Sequence, residues 1–254
     1  MSLDRRQLLK LMAGSVAAGL LTTSALTRAA TKHNIKAIAF DGFPIFDPRP
    51  IFGLSKTLYP EQGNPLAKLW FTKIFGYTWL RTAGDHYKDF NSVIEEALIF
   101  SAESLKLDLT PEKKEQLMGI WLNLKPWPDV EPALELLNKN NIRLGFLSNL
   151  TEEMLRINAK NSNIGDAFEF YLSTDRVQAY KPSARAYQMG VDAFALPKEN
   201  IAFAAFAGWD AAGAKWFGYP TVWVNRLGSP TEKLGVKPDR IGKGMDQLVN
   251  FTLT

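Results

Sequence analysis

The chain has 254 residues, 46% of them hydrophobic and 22% charged, with a formal net charge of +4, which is enough to bury one full core plus a smaller accessory unit and excludes a disordered chain. It contains no Cys and only two His, His33 and His86. Thiol nucleophiles, disulfides and Cys-ligated metals are thereby excluded, and covalent chemistry falls to a carboxylate, a hydroxyl or an amine.

In chain order, the N-terminus comes first and reads as a targeting segment. Arg5 and Arg6 precede Leu8, Leu9 and Lys10, then an Ala/Gly-rich apolar stretch runs from Leu11 to Leu21, with small residues at Ala25, Ala29 and Ala30. The order Asp4-Arg5-Arg6-Gln7-Leu8-Leu9-Lys10 resembles a twin-arginine export signal, S-R-R-x-F-L-K. That resemblance implies a signal peptide over residues 1–30, cleavage near Ala30, the twin-arginine machinery as a partner and a periplasmic location. An amphipathic helix or membrane anchor is the other reading, although the stretch is too short to span a bilayer. Removing the segment takes away four basic residues and one acid, so the charge falls from +4 to +1. The basic balance therefore owes much to the signal, and nothing in the rest argues for nucleic acid.

An apolar run, Ile35 to Phe40, follows and ends at Asp41; the next residues, GFPIFDPRP, cannot continue a strand. Residues 46 to 125 then carry helical periodicity. Helices are predicted over Pro65 to Thr82, with Leu66, Leu69, Trp70, Lys73, Tyr77 and Leu80 near one face, over Asn91 to Leu105, and from Pro111 with Thr110 as N-cap. From Pro126 helix and strand alternate: helix Val130 to Asn140, strand Ile142 to Leu147, helix Glu152 to Asn161, strand Phe170 to Leu172, helix Ser183 to Phe194, strand Ile201 to Ala205, helix Ala211 to Phe217 and strand Thr221 to Val224. The tail from Gly228 holds Gly and Pro turns and one short helix. Apolar, mostly unalternating strands between helices imply an α/β fold with a Rossmann-like parallel sheet covered on both faces. The helical stretch after the first strand reads as an inserted cap, so the core takes residues 31–46 and 126–254 and the helical cap 47–125.

In open parallel sheets ligands bind at the C-terminal strand edge. Asp41, Ser148 with Asn149, Lys181, and Trp209 with Asp210 all fall at or just beyond such ends. Each has a structural alternative: Ser148 and Asn149 as a helix cap, Trp209 as core, Asp210 as an N-cap before Ala211.

The segments FDGFPIFD, YTWLR (Tyr77 to Arg81), FLSN (Phe146 to Asn149), YKPSARAYQ (Tyr180 to Gln188) and WDAAGAKWFGYPTVWVNR (Trp209 to Arg226) resemble the haloacid dehalogenase superfamily, and within it the L-2-haloacid dehalogenases. Phosphatase members carry a second Asp two residues after the nucleophile; here that position is Phe43. The resemblance implies a hydrolase in which Asp41 attacks a halogen-bearing carbon and the resulting ester is hydrolysed by water. No metal or other cofactor is implied. Lys181 would hold Asp41 ionised, Asp210 would orient Lys181 or the water, and Ser148 would bind a substrate carboxylate. Asn149 and Trp209 would cradle the halide, and Tyr187 would line the same pocket. The implied substrate is a short 2-substituted carboxylic acid. The aromatic-rich cap residues Trp70, Phe71, Phe75, Tyr77 and Trp79 fit core, pocket lining or the face of a homodimer.

Four positions depart from the family pattern. Ile45 stands where the family has Thr, Phe71 where it has a halide-binding Arg, and Ala205 and Ala207 where a Ser and an Asn support the hydrolytic step. Losing the guanidinium alone costs on the order of 2 to 4 kcal/mol of transition-state stabilisation, a factor of about 30 to 1000 in rate. Weak or altered dehalogenation is one expectation; a catalytically degenerate ligand-binding or interaction protein is the other.

Overall fold

The computed structural model describes residues 34–254, so the export signal expected over residues 1–30 lies outside the described residues. Strands β1 (Ala37–Phe40), β2 (Arg143–Ser148), β3 (Phe170–Ser173), β4 (Ile201–Ala205), β5 (Thr221–Val224) and β6 (Arg240–Gly242) form one parallel sheet in the order β3-β2-β1-β4-β5-β6. The first five are predominantly Val, Ile, Leu, Ala and aromatic residues, as strands covered on both faces require. Their side chains alternate between two apolar clusters. Ile38, Phe40, Leu144, Phe146, Ala202 and Ala204 point to one, and Ala37, Ala39, Leu147, Ile201, Phe203 and Ala205 to the other. Helices α6 (Val130–Lys139), α7 (Glu152–Asn161) and α10 (Asp246–Leu253) cover the first face, while α8 (Ala184–Phe194) and α9 (Gly208–Phe217) cover the second.

A short helix α1 (Gly42–Ile45) opens directly on Asp41, whose carboxylate accepts the Phe43 N–H as its N-cap. Four α-helices then lie within residues 47–125: α2 (Arg49–Leu58), α3 (Gly63–Ala83), α4 (Phe90–Ser104) and α5 (Pro111–Gly119). Three had been expected. The extra one, α2, carries Pro50 inside its first turn, where a missing N–H costs nothing because that N–H has no intrahelical partner. The caps Asp89 and Thr110 each accept a first-turn N–H, which fixes where α4 and α5 begin.

Helix α3 turns a different face inward from the one its periodicity suggested. Leu66, Ala67, Trp70, Ile74 and Thr78 are buried, whereas Leu80 is 69% exposed. Trp70 decides the rotation: its indole N–H reaches the Ile94 carbonyl at 2.8 Å, tying α3 to α4 as it sinks against Trp121. The two segments joining these helices to the sheet pair with each other at Phe46 and Pro126. Trp127 seals the junction by donating its backbone N–H to Ile45 and its indole N–H to Phe43, both at 3.0 Å. Asn158 on α7 accepts the Leu124 N–H and donates to the Trp121 carbonyl, so the exit from the helices is held by the sheet's own layer.

Candidate active site

Strand β1 has β2 on one side and β4 on the other, so the connections leave it in opposite directions and open a crevice at its C-terminal end. Asp41 occupies that point and is 8% exposed. Its Oδ1 receives Lys181 Nζ at 2.8 Å and Ser148 Oγ at 3.3 Å; among the described residues its Oδ2 receives only the Phe43 N–H, at 3.3 Å. Gly42 lets this happen, because a Cβ there would stand 2.7 Å from Leu150 and 3.2 Å from Ser148 Oγ.

Lys181 is 1% exposed, and its ammonium also contacts Asp210 Oδ2 at 2.6 Å. Burial opposes its charge, but the two carboxylates outweigh burial and lift its pKa above the ordinary lysine value. Asp210 shares that single cation with Asp41 and fares less well. Burial, helped by the repulsion of Asp41, pushes its pKa up to about 6 in spite of Lys181 and Tyr187. Asp210 is not the N-cap of α9, since that position belongs to Ala207 and Asp210 lies in the first turn.

Tyr187 departs from its expected place. It does not line the cavity; it lies beneath Asp210, fully buried, and donates its hydroxyl to Asp210 Oδ1 at 2.7 Å. Gly213 on α9 makes room, as a Cβ there would meet the Tyr187 hydroxyl at 2.5 Å. Burial and the neighbouring Asp210 charge hold this phenol well above its usual pKa, so it remains a donor. The six-residue spacing from Lys181 locates Tyr187 on α8 but cannot say which side of Asp210 it meets.

Ser148 and Asn149 are not the cap of α7, which is Thr151. Asn149 Oδ1 accepts the Lys181 backbone N–H at 3.1 Å, and its Nδ2 is buried without a partner among the described residues. The residue before Lys181 is anchored by the helical insertion: Tyr180 N–H reaches Thr82 Oγ1 at 3.0 Å, its hydroxyl reaches the Lys88 carbonyl at 2.6 Å, and its ring stacks on Tyr87. Tyr87 in turn hydrogen-bonds Asp175.

A cavity of about 70 Å³ lies over Asp41. From the sheet side it is bordered by Asp41, Phe43, Ser148, Asn149, Leu150, Phe206, Ala207, Trp209 and Asp210, and from the helical side by Phe71, Phe75 and Phe90. Of the four departing positions, Phe71 and Ala207 line it. Ile45 and Ala205 are instead packed in the two apolar clusters, and Phe43 and Phe206 supply apolar wall to the cavity. Phe71 stacks on Trp121 with ring centres 5.5 Å apart, and Trp209 packs between Phe75 and Trp79 at 5.3 and 5.4 Å. Trp70 is core; Trp79 is 41% exposed.

A family profile described as haloacid dehalogenase-like hydrolase matches residues 71–218, more than half of the chain. The chain belongs to the haloacid dehalogenase-like hydrolases. It is 35% identical over 206 residues to an (S)-2-haloacid dehalogenase of Pseudomonas sp. (strain YL), covering 81% of this chain and 89% of that one. It is 36% identical over 218 residues to haloacetate dehalogenase H-2 of Moraxella sp. (strain B), covering 85% and 97%. Among solved structures, the L-2-haloacid dehalogenase RSc1362 superposes with a TM-score of 0.85 at 35% identity, covering 87% of this hydrolase and all of that chain. An L-2-haloacid dehalogenase from Xanthobacter autotrophicus with chloropropionic acid covalently bound superposes at 0.78 with 25% identity, covering 85% and 97%.

Proposed function

We propose that this hydrolase works by the dehalogenase route on a small molecule, with Asp41 as nucleophile and a covalent ester as intermediate, and that it does so outside the cytoplasm. The observation that carries this reading is the Lys181 ammonium, which holds Asp41 Oδ1 at the floor of a partly open, largely apolar cavity. Asp41 Oδ2, with its single backbone donor, keeps the freer lone pairs and attacks carbon. The carbon–halogen bond breaks, the halide leaves with the electron pair, and no proton is needed. Phe43, which cannot donate a proton, is compatible with that chemistry.

Asn149 Nδ2 and the Trp209 edge receive the halide. Water then attacks the Asp41 ester carbonyl, Asp210 takes its proton, and the alcohol departs as Asp41 is regenerated. The helices of residues 47–125 act as the cap that keeps bulk water out of the first step.

The second step is the weaker one. Ala207 lines the cavity and has no donor or acceptor to place a water, so the ester forms faster than it breaks down. The same residue favours a second reading, a degenerate family member that binds a ligand without turning it over.

Intact-protein mass spectrometry of wild type and Asp41→Asn incubated with small alkyl halides, read alongside halide release, tests the proposal. An adduct on wild type that is absent from the variant, with little halide beyond one equivalent, is expected. No adduct and no halide would leave the binding reading.

Export is part of the same proposal and has its own test. Residues 1–30 fused to a reporter active only outside the cytoplasm should deliver it there, and replacing Arg5 and Arg6 by Lys should stop delivery. Delivery surviving that replacement would remove the twin-arginine route.

A further inference from the structure

Of the groups that meet at the strand ends, Asp41 follows β1 directly, Ser148 ends β2 and Asp210 stands in the first turn of α9, so each takes its position from a regular element. Lys181 does not. It lies in the irregular connection between β3 and α8, where no ladder fixes the main chain, and its long stem is flexible unless the surroundings hold it. Whatever holds that connection sets the aim of the ammonium.

Two successive backbone N–H groups anchor it, and they reach different parts of the molecule. The Lys181 N–H goes to Asn149 Oδ1, beside the sheet, at 3.1 Å. The Tyr180 N–H, in a fully buried residue, goes to Thr82 Oγ1 in the last turn of α3 at 3.0 Å, its one acceptor among the described residues. An unpaired buried N–H is costly, so the connection stays where that acceptor is. Thr82 gives its own hydroxyl proton to the Thr78 carbonyl at 2.8 Å, which leaves an oxygen lone pair for Tyr180.

The Tyr180 side chain repeats the attachment. Its hydroxyl donates to the Lys88 carbonyl at 2.6 Å, and its ring stacks on Tyr87 at 4.9 Å and meets Phe90, a cavity-lining residue, at 6.0 Å. The turn between α3 and α4 that supplies these contacts is braced in its turn. Arg81 donates to the His86 carbonyl at 3.0 Å and pairs with Glu96 at 2.5 Å, and Lys88 pairs with the same carboxylate. Displacing the helical insertion from the sheet would carry Thr82 and the Lys88 carbonyl with it, and Lys181 would lose the support on its N-terminal side.

We infer that Thr82 and Tyr180 are positioning residues for Lys181: the helical insertion, through the Thr82 hydroxyl and the Tyr180 main chain, aims the ammonium at Asp41, so that the nucleophile is aligned only when the insertion is seated over it. The inference rests on the dehalogenase reading of Asp41 and Lys181 given above. Neither Thr82 nor Tyr180 lines the cavity, so their effect falls on the chemical step and not on substrate binding.

The rate of adduct formation at Asp41 is followed by intact mass, with halide release counted alongside, over a range of (S)-2-bromopropionate concentrations for the full-length wild type, Thr82→Val, Thr82→Ser and Tyr180→Phe. Thr82→Val keeps the shape and removes the acceptor. Its limiting rate is expected to fall at least about tenfold, with the half-saturating concentration within about twofold of wild type. Thr82→Ser keeps the hydroxyl and is expected to recover the limiting rate to within about threefold of wild type. Tyr180→Phe breaks only the bond to Lys88 and is expected to lie between Thr82→Val and wild type.

Should Thr82→Val fail to fold, Tyr180→Phe carries the test by itself, with a limiting rate expected at least about threefold below wild type. An unchanged limiting rate, a loss seen only as weaker saturation, or a loss that Thr82→Ser does not recover overturns the inference and leaves Asp41 as the nucleophile. Wild type that gives neither adduct nor halide overturns the dehalogenase reading itself, and this inference with it.

Discussion

Asn149 accepts the backbone N–H of Lys181 on its Oδ1 at 3.1 Å, and this one bond decides which way its amide faces. The N–H of Lys181 needs an acceptor, so Nδ2 is the atom left over, buried and, among the described residues, unpartnered in a residue that lines the cavity. Asn149→Ala therefore has two separable effects. It orphans the Lys181 N–H, which costs about 1 to 3 kcal/mol, and it removes the donor proposed for the halide. Urea unfolding is expected to show the first and adduct kinetics the second; adduct formation at the wild-type rate would take Asn149 out of the chemistry.

The ammonium of Lys181 is shared by two carboxylates, at 2.8 Å from Asp41 and 2.6 Å from Asp210. Lys181→Met leaves both carboxylates buried without a cation, a loss of about 3 to 5 kcal/mol. Adding Asp210→Asn to Lys181→Met should recover part of that stability, because one of the two stranded charges is gone. Denaturant midpoints for the two variants and wild type measure it, and no recovery would mean that Asp210 is already protonated in the single variant.

Asp210 holds its proton more tightly in the folded protein, up to about 6, than at its ordinary value of 3.8. Between these limits the folded state keeps a proton that the unfolded chain has lost, so the associated stability is present below about pH 4 and drains away as the pH rises through about 6. Stability of wild type relative to Asp210→Asn is expected to fall over that window and level off above it. A flat difference across the window would mean that Lys181 keeps Asp210 ionised throughout.

Ala205 and Ala207 occupy equivalent-looking places in the sequence but different ones in space. Ala207 lines the cavity, whereas Ala205 is buried among Phe203, Tyr187 and Trp223. Ala207→Asn is expected to speed breakdown of the Asp41 ester by about tenfold or more, by giving the water a partner. Ala205→Ser alone should leave breakdown unchanged and cost about 1 to 3 kcal/mol for a buried hydroxyl. Single-turnover decay of the adduct mass distinguishes them.

Much of this architecture was readable in one dimension. The apolar run ending at Asp41, the β-α alternation after Pro126 and the Thr110-Pro111 helix start are local patterns whose physics acts over a few residues. Elements whose defining interactions are distant were harder. Strand β6 has only three residues, is largely exposed, and is recognisable as a strand only by its pairing with β5. The inward face of α3 is set by a bond from Trp70 to Ile94, which no helical wheel contains.

The sequence by itself determined the chemical inventory of the site: a strand-end carboxylate, a lysine ahead of a proline, a serine and an amide after a second strand, and no thiol. Those identities are carried by single residues at element boundaries. Only the tertiary structure decided how they meet, because Asp41 lies 140 residues from Lys181 and 107 from Ser148 along the chain. It placed Tyr187 under Asp210 and not in the cavity, left Asn149 Nδ2 without a partner among the described residues, and set Phe71 and Ala207, but neither Ile45 nor Ala205, in the lining of the cavity over Asp41. Those outcomes depend on which rings fill the space between helices and sheet, and packing of that kind is a property of three-dimensional volume that residue spacing does not encode.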